Sequence, residues 1–312
     1  MTRKSGVFDK NRSVLVSDGT HIAYTEMKGT RLPVVLANGW ACNDVYWTDL
    51  APYLAGRGHR VVLPDTRGHG ESGLPRPPGW RARNISVADM SLERIAADLL
   101  EVSDDAGVGE AVFIGHSMGV QTILEVYRNA PARVRGLVAV AGPYENPLRT
   151  LYGEPYAHHL FPVAKFGIQL MPRLLMPAYQ VLMSQDRIGH WGAVRMRAAG
   201  PKLTRERFAP YMAHLATRDP LVLFKAMESM RDHSAADVLP EVDVPFLILA
   251  GEQDSFTPPA AQERMHGLAP NSELKWFAGA GHCLPIEEPD AVDEAIGEFL
   301  DKLEGVSDAD AG

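Results

Sequence analysis

Cysteine is scarce in this 312-residue chain, which has only Cys42 and Cys283. Two thiols exclude a disulfide framework and a cysteine-rich zinc site, and they read as free packing groups, although each lies beside a motif described below. A basic surplus is also missing. With 31 Lys and Arg against 39 Asp and Glu the formal charge is −8, which argues against a phosphate-binding face and removes nucleic acid from the expected partners. No apolar run approaches the ~20 residues of a membrane-spanning helix. The opening MTRKSGVFDKNRSV has basic residues but no apolar stretch behind them, so no secretory signal is read there and the expected location is the cytoplasm. Internal repeats and low-complexity runs are lacking too. His158, His159 and His190 do not have the spacing of a metal-binding helix, so no metal is expected, and nothing calls for a cofactor.

What is present is an alternation of strand-like and helix-like segments. Val14 to Met27 reads as a hairpin around Asp18-Gly19, and short buried-type runs follow at 32–36, 60–63, 111–114 and 137–140. Helical patterns at 44–55, at 92–102 behind the cap candidate Ser91, and at 120–129 before Pro131 lie between them. The rhythm resumes with strands at 244–250 and 273–277 and helices at 258–268 and 289–303. Such alternation predicts a parallel sheet covered by helices on both faces.

Between about 146 and 237 the strand rhythm disappears. Seven of the twelve methionines fall there: Met171, Met176, Met183, Met196, Met212, Met227 and Met230. Singly each reads as helix-packing core, and together they suggest an adaptable apolar lid over a site. The tail after Gly305 is expected to fray.

In an α/β sheet ligands bind at the carboxyl ends of the strands, so the loops after each apolar run are the first place to look. Gly115-His116-Ser117-Met118-Gly119 follows the run at 111–114. Glycines on both sides of the serine let a strand turn sharply into a helix, leaving the hydroxyl projecting from a strained apex. Gly251-Glu252-Gln253-Asp254 follows 244–250, and Ala278-Gly279-Ala280-Gly281-His282 follows 273–277. A serine, a carboxylate and a histidine therefore end at one edge of one sheet. Glu252, and Glu145 after the run at 137–140, are rival carboxylates. His116 and His69 read as structural, and Trp47 as a core aromatic.

From about Val14 to Leu303 the chain resembles the α/β-hydrolase family. The resemblance rests on the elbow around Ser117, on the order Ser117, Asp254, His282, and on Asp65-Thr66-Arg67-Gly68-His69-Gly70-Glu71-Ser72, which is similar to the family's loop after its fourth strand. It implies an eight-stranded, mostly parallel sheet with helices on both faces. It also implies a helical cap inserted after the sixth strand: a core of 1–145 and 238–312 and a cap of 146–237. The resemblance further implies a nucleophile, Ser117, a general base, His282, and an acid, Asp254, preferred over Glu145 by position. The backbone N–H groups of Trp40 and Met118 would form an oxyanion hole beside the substrate, with Trp40 as a pocket wall. The family usually carries His-Gly in the first of those loops, and this chain has Asn38-Gly39.

A serine hydroxyl needs a base to remove its proton and an anion to support the resulting imidazolium, which these three residue types supply. The expected activity is cleavage of a carboxylic ester of an apolar small molecule through an acyl-enzyme. Alternatives are a carbon–carbon bond or lactone hydrolase using the same triad, and a non-catalytic ligand receptor. A serine at the elbow argues against dehalogenase and epoxide-hydrolase relatives, which need an aspartate there.

Overall fold

The computed structural model describes residues 6–75, 85–151, 156–170 and 179–305. The tail after Gly305 and the methionines at 171 and 176 lie outside them. Eight strands form one sheet: β1 (Arg12–Leu15), β2 (His21–Met27), β3 (Arg31–Ala37), β4 (His59–Pro64), β5 (Ala111–His116), β6 (Val134–Val140), β7 (Phe246–Gly251) and β8 (Ser272–Phe277). Their spatial order is β1-β2-β4-β3-β5-β6-β7-β8. Only β2 runs against its neighbours; all other pairs are parallel.

Side chains alternate across the parallel strands and so build two cores. Val34 and Leu36 of β3, with Val112 and Ile114 of β5, pack on Leu50 and Leu54 of α1 (Leu50–Gly56) and on Val292, Ile296 and Leu300 of α10 (Pro289–Glu304). Val35 and Phe113 face the other way, onto Leu99 and Val102 of α2 (Leu92–Asp105), Ile123 and Leu124 of α3 (Met118–Asn129) and Met265 of α8 (Pro259–Leu268). Each fully buried Val or Leu contributes about 1.5–3 kcal/mol, which is why strands covered on both faces read as continuous apolar runs.

The expected helix at 44–55 is two elements, a 3₁₀ turn at Asp44–Trp47 and then α1. Pro52 explains the break. A helix running through from 44 would need its missing N–H, whereas in the first turn of α1 that hydrogen has no intrahelical acceptor in any case. Ser91 does cap α2, accepting from the Arg94 N–H.

Between β6 and β7 no strand occurs among the described residues. The insertion carries α4 (Tyr156–Leu170), α5 (Asp186–Arg195), α6 (Arg205–Leu215), α7 (Pro220–Asp232) and, of the described residues, no helix long and apolar enough to cross a membrane. After α8 the chain forms β8, a single turn α9 (Leu284–Glu287) and α10.

The loop after β4 is locked by Arg67, which is fully buried. Its guanidinium makes a two-pronged pair with Asp98 of α2 at 2.6 and 2.7 Å and bonds Asp18 and the Asp89 carbonyl, both at 2.9 Å. Breaking such a pair strands a buried charge, at a typical cost of about 3–5 kcal/mol. Arg67→Ala should therefore lose about that much stability in urea denaturation; a loss below about 1 kcal/mol would contradict the role given to this pair.

Candidate active site

Strand order reverses at β3, with β4 on one side and β5 on the other. The carboxyl ends of β3 and β5 therefore border the crevice where open α/β sheets hold ligands. Ser117 stands there, between β5 and α3, at φ 53° and ψ −120°. Close approach makes the turn possible: a Cβ on Gly115 would overlap the Gly119 carbonyl, and one on Gly119 would overlap that of Ala37 in β3. Gly39, in the loop after β3, lies against Ser117, with room for a Cβ only at 3.1 Å from the serine's own.

Three loops converge on this serine. His282 Nε2 accepts from Ser117 Oγ at 2.9 Å, and His282 Nδ1 donates to Asp254 Oδ2 at 2.9 Å. Asp254 is buried and its acceptor sites are filled. Oδ1 takes the N–H groups of Phe256 at 2.7 Å and Thr257 at 2.9 Å, and Oδ2 takes the Thr257 hydroxyl at 2.6 Å. These bonds fix the direction of the carboxyl group toward the imidazole. Glu252 is exposed and accepts from the Gly279 N–H at 3.3 Å. The structure thus sets Asp254, not Glu252, on the imidazole.

His116 has a packing place. It stacks on Tyr46 with ring centroids 4.5 Å apart and donates from Nε2 to the His282 carbonyl at 2.9 Å. Burial, with the nearby His282, pushes it down to about 3, so it stays neutral. His69 is likewise buried and pushed down to about 4 by desolvation. Trp47 is core, and its indole donates to Asn38 Oδ1 at 2.8 Å while Asn38 Nδ2 donates to the Pro64 carbonyl at 2.8 Å. Those two bonds hold the Asn38-Gly39 loop.

Trp40 lines a cavity of about 570 Å³ above the serine, its indole anchored on the Leu223 carbonyl of α7 at 2.8 Å. The Met118 backbone opens α3, where first-turn amides have no intrahelical acceptor. Its side chain is buried in a cluster with Met90, Leu92 and Met230 and is not itself among the described lining residues. The cavity walls come largely from the insertion, including Met183, Met196, Met212, Met227 and Met230. No Asp, Glu, Lys or Arg stands among the described lining residues.

Cys42 and Cys283 both line this cavity, and Tyr46 Oη lies 3.2 Å from Cys283 Sγ. Burial pushes both thiols up, so they are not thiolates. His190 Nε2 donates to the Leu203 carbonyl at 2.7 Å, and His158 Nδ1 lies 3.2 Å from Asn146 Nδ2. Among the described residues, the donor atoms of Glu93, Glu125 and His233 come within 4.8 Å of one another. Glu125 already holds His233 at 2.8 Å and Arg128 at 2.9 Å, and none of the three lines the cavity.

Sequence reasoning missed Thr257, Phe256, Tyr46 and also Glu287, whose carboxyl group accepts from the Gly281 and Cys283 N–H groups on either side of His282. Thr257 was within reach, because an aspartate three residues before a threonine is the spacing of a side-chain turn onto backbone N–H groups. The others carry no local signal.

A family model of the alpha/beta hydrolase fold matches residues 33–289. The chain belongs to the α/β-hydrolase fold family. It is 27% identical over 311 residues to the probable oxidoreductase EphD of Mycobacterium tuberculosis, covering 95% of this chain and 50% of that protein. It therefore spans about half the length of that relative. It is 26% identical over 305 residues to a non-heme chloroperoxidase of Streptomyces lividans, covering 92% of this chain and 99% of that one. Among solved structures, a thermophilic esterase from Thermogutta terrifontis superposes with a TM-score of 0.68 at 24% identity, covering 94% and 98% of the two chains. That likeness concerns the fold.

The tautomer follows from the Asp254 contact, since a carboxylate only accepts. Proton NMR should show a strongly downfield resonance from His282 Nδ1–H in the native protein and lose it in Asp254→Asn. A resonance unchanged in that variant would rule out the Asp254 pairing.

Proposed function

We propose that this chain is a serine hydrolase that cleaves neutral, apolar carboxylic esters through an acyl-enzyme on Ser117. The observation that carries the reading is the Asp254–His282–Ser117 hydrogen-bond chain, with both links at 2.9 Å, on the floor of an apolar cavity. His282 removes the Ser117 proton as Oγ attacks the ester carbonyl, and Asp254 supports the imidazolium. The N–H groups of Met118 and Trp40 receive the oxyanion. The imidazolium then gives its proton to the leaving alcohol; a water activated by the same base hydrolyses the acyl-enzyme and frees the acid. Residues 146–237 act as the cap that encloses the acyl group.

Among the described residues the lining carries no Asp, Glu, Lys or Arg, which narrows the substrate class. A carboxylate brought into such a cavity would lose its water without finding a cation, at a cost of several kcal/mol. This favours neutral esters, with neutral lactones in the same class, over carbon–carbon hydrolysis of ketonic acids. A receptor role has no feature of its own in its support.

Two measurements test the reading. A fluorophosphonate should add once, stoichiometrically, to native protein, and Ser117→Ala should lose both the adduct and at least about 10⁴-fold in ester turnover while staying folded. Ester cleavage surviving in that variant would sink the assignment. Among matched substrates, kcat/KM for a neutral ester should exceed that for its carboxylate-bearing analogue by about a hundredfold or more. Equal values would remove the substrate class but leave the nucleophile standing.

A further inference from the structure

Glu287 is a buried carboxylate that the proposed mechanism does not use. It lies in α9 and is 6% exposed. Three backbone donors converge on it: Oε2 accepts from Gly281 N and Gly200 N, both at 2.8 Å, and Oε1 accepts from Cys283 N at 2.9 Å. Gly281 and Cys283 flank His282, whereas Gly200 belongs to the insertion, just beyond α5. One carboxylate thus grips both sides of the histidine and the cap segment above it.

The same segment reaches the other loop. Ser255, next to Asp254, donates its N–H to the Arg197 carbonyl at 3.2 Å and its hydroxyl to the Met196 and Arg197 carbonyls, both at 2.9 Å. His282 N donates to the Ala198 carbonyl at 3.2 Å. Residues 196–200 therefore form a strap laid across the loops that carry Asp254 and His282. Its approach is close: a Cβ on Gly281 would stand 2.6 Å from Gly200 N and 2.7 Å from Ala199 C. Arg197 adopts φ +54°, a left-handed conformation that a non-glycine residue keeps only where its surroundings fix it, and the Ser255 bonds do so.

Packing alone does not call for this arrangement. An apolar side chain would fill the volume, whereas a carboxyl group, whose two oxygens accept, answers three N–H groups drawn from two parts of the chain. We propose that the strap at 196–200, held by Glu287 and Ser255, is a positioning element that aligns His282 on Ser117 and fixes the cap to the catalytic loops together. This rests on the serine-hydrolase reading above. Glu287 is a positioning residue, since it acts through the backbone on either side of His282.

Glu287→Gln keeps the volume but turns an N–H₂ toward one of the converging donors. In the full chain it should lower kcat for a neutral ester about 10- to 100-fold, the scale of a misplacement up to about 1 Å, with KM within about threefold. Ser255→Ala, which releases the strap from the Asp254 side alone, should lower kcat several-fold in the same KM-independent way. A folded Glu287→Gln with native kcat overturns the proposal. If that variant does not fold, native kcat in Ser255→Ala overturns it and a lowered kcat supports it. Fluorophosphonate labelling of the unmodified chain separates the two failures: no adduct on Ser117 defeats the hydrolase reading, whereas normal labelling with unaffected variants defeats the strap alone.

Discussion

The turn at Ser117 is the constraint on which the site depends. A non-glycine residue in the left-handed half of backbone space costs about 1–3 kcal/mol, and such strain persists only where the surroundings over-determine it. Here they do. The Ser117 N–H is held by the Val140 carbonyl at 3.1 Å, its own carbonyl accepts from Val120 N at 2.9 Å, and backbone from β3 and α3 fills the space that side chains at 115 and 119 would need. Parallel pairing then sets the other loops level with this turn. His116 lies opposite Val140, Val140 opposite Leu249, and Gly251 opposite Phe277. The loops bearing Asp254 and His282 therefore leave the sheet at the height of the serine.

Charge in this region is confined to few groups, and burial decides which. Asp254 spends its acceptor capacity on three protein donors and one imidazole, so it is fixed in direction. His116 and both thiols are neutral because desolvation penalises their charged forms. An apolar cavity above such a chain strengthens each electrostatic contact within it and repels a second ion. The cysteines, though they stand in the cavity, serve it as small apolar walls.

Most of the sheet was legible because its strands are covered on both faces and so are written as unbroken apolar runs. Boundaries were missed where that writing stops: β6 begins at Val134, but Arg135 and Gly136 hide its first residues among polar and small ones. The helix expected from 44 to 55 failed because its periodicity was real but Pro52 set where it could start. Ser117, Asp254 and His282 could be found because each follows an apolar run. Glu287 could not, since its three partners are backbone N–H groups, two of them from residues 281 and 283 and one from residue 200, and backbone donors leave no trace in composition or spacing. The methionines were better read as a group: five of the seven line the cavity and the other two lie outside the described residues.

The division of labour between sheet and insertion follows from these constraints. The loops at the sheet edge supply the histidine bonded to the serine and the carboxyl group behind it, and their geometry is fixed by strand register, which a one-residue slip would destroy. The insertion supplies most of the cavity wall through flexible and apolar side chains, whose substitution changes shape without touching that register. Under the proposed hydrolase reading, such an arrangement would let the acyl group vary while the chemistry stays constant, provided the two parts keep a common frame. Residues 196–200 join the two parts, because their hydrogen bonds reach the loops of Asp254 and His282 on one side and α5 on the other, where Met196, Arg197, Ala198 and Ala199 donate their N–H groups to the Gly192, Val194 and Ala193 carbonyls. On the proposed reading, a change in α5 would therefore reach the imidazole through this segment, whereas α6 lies beyond it.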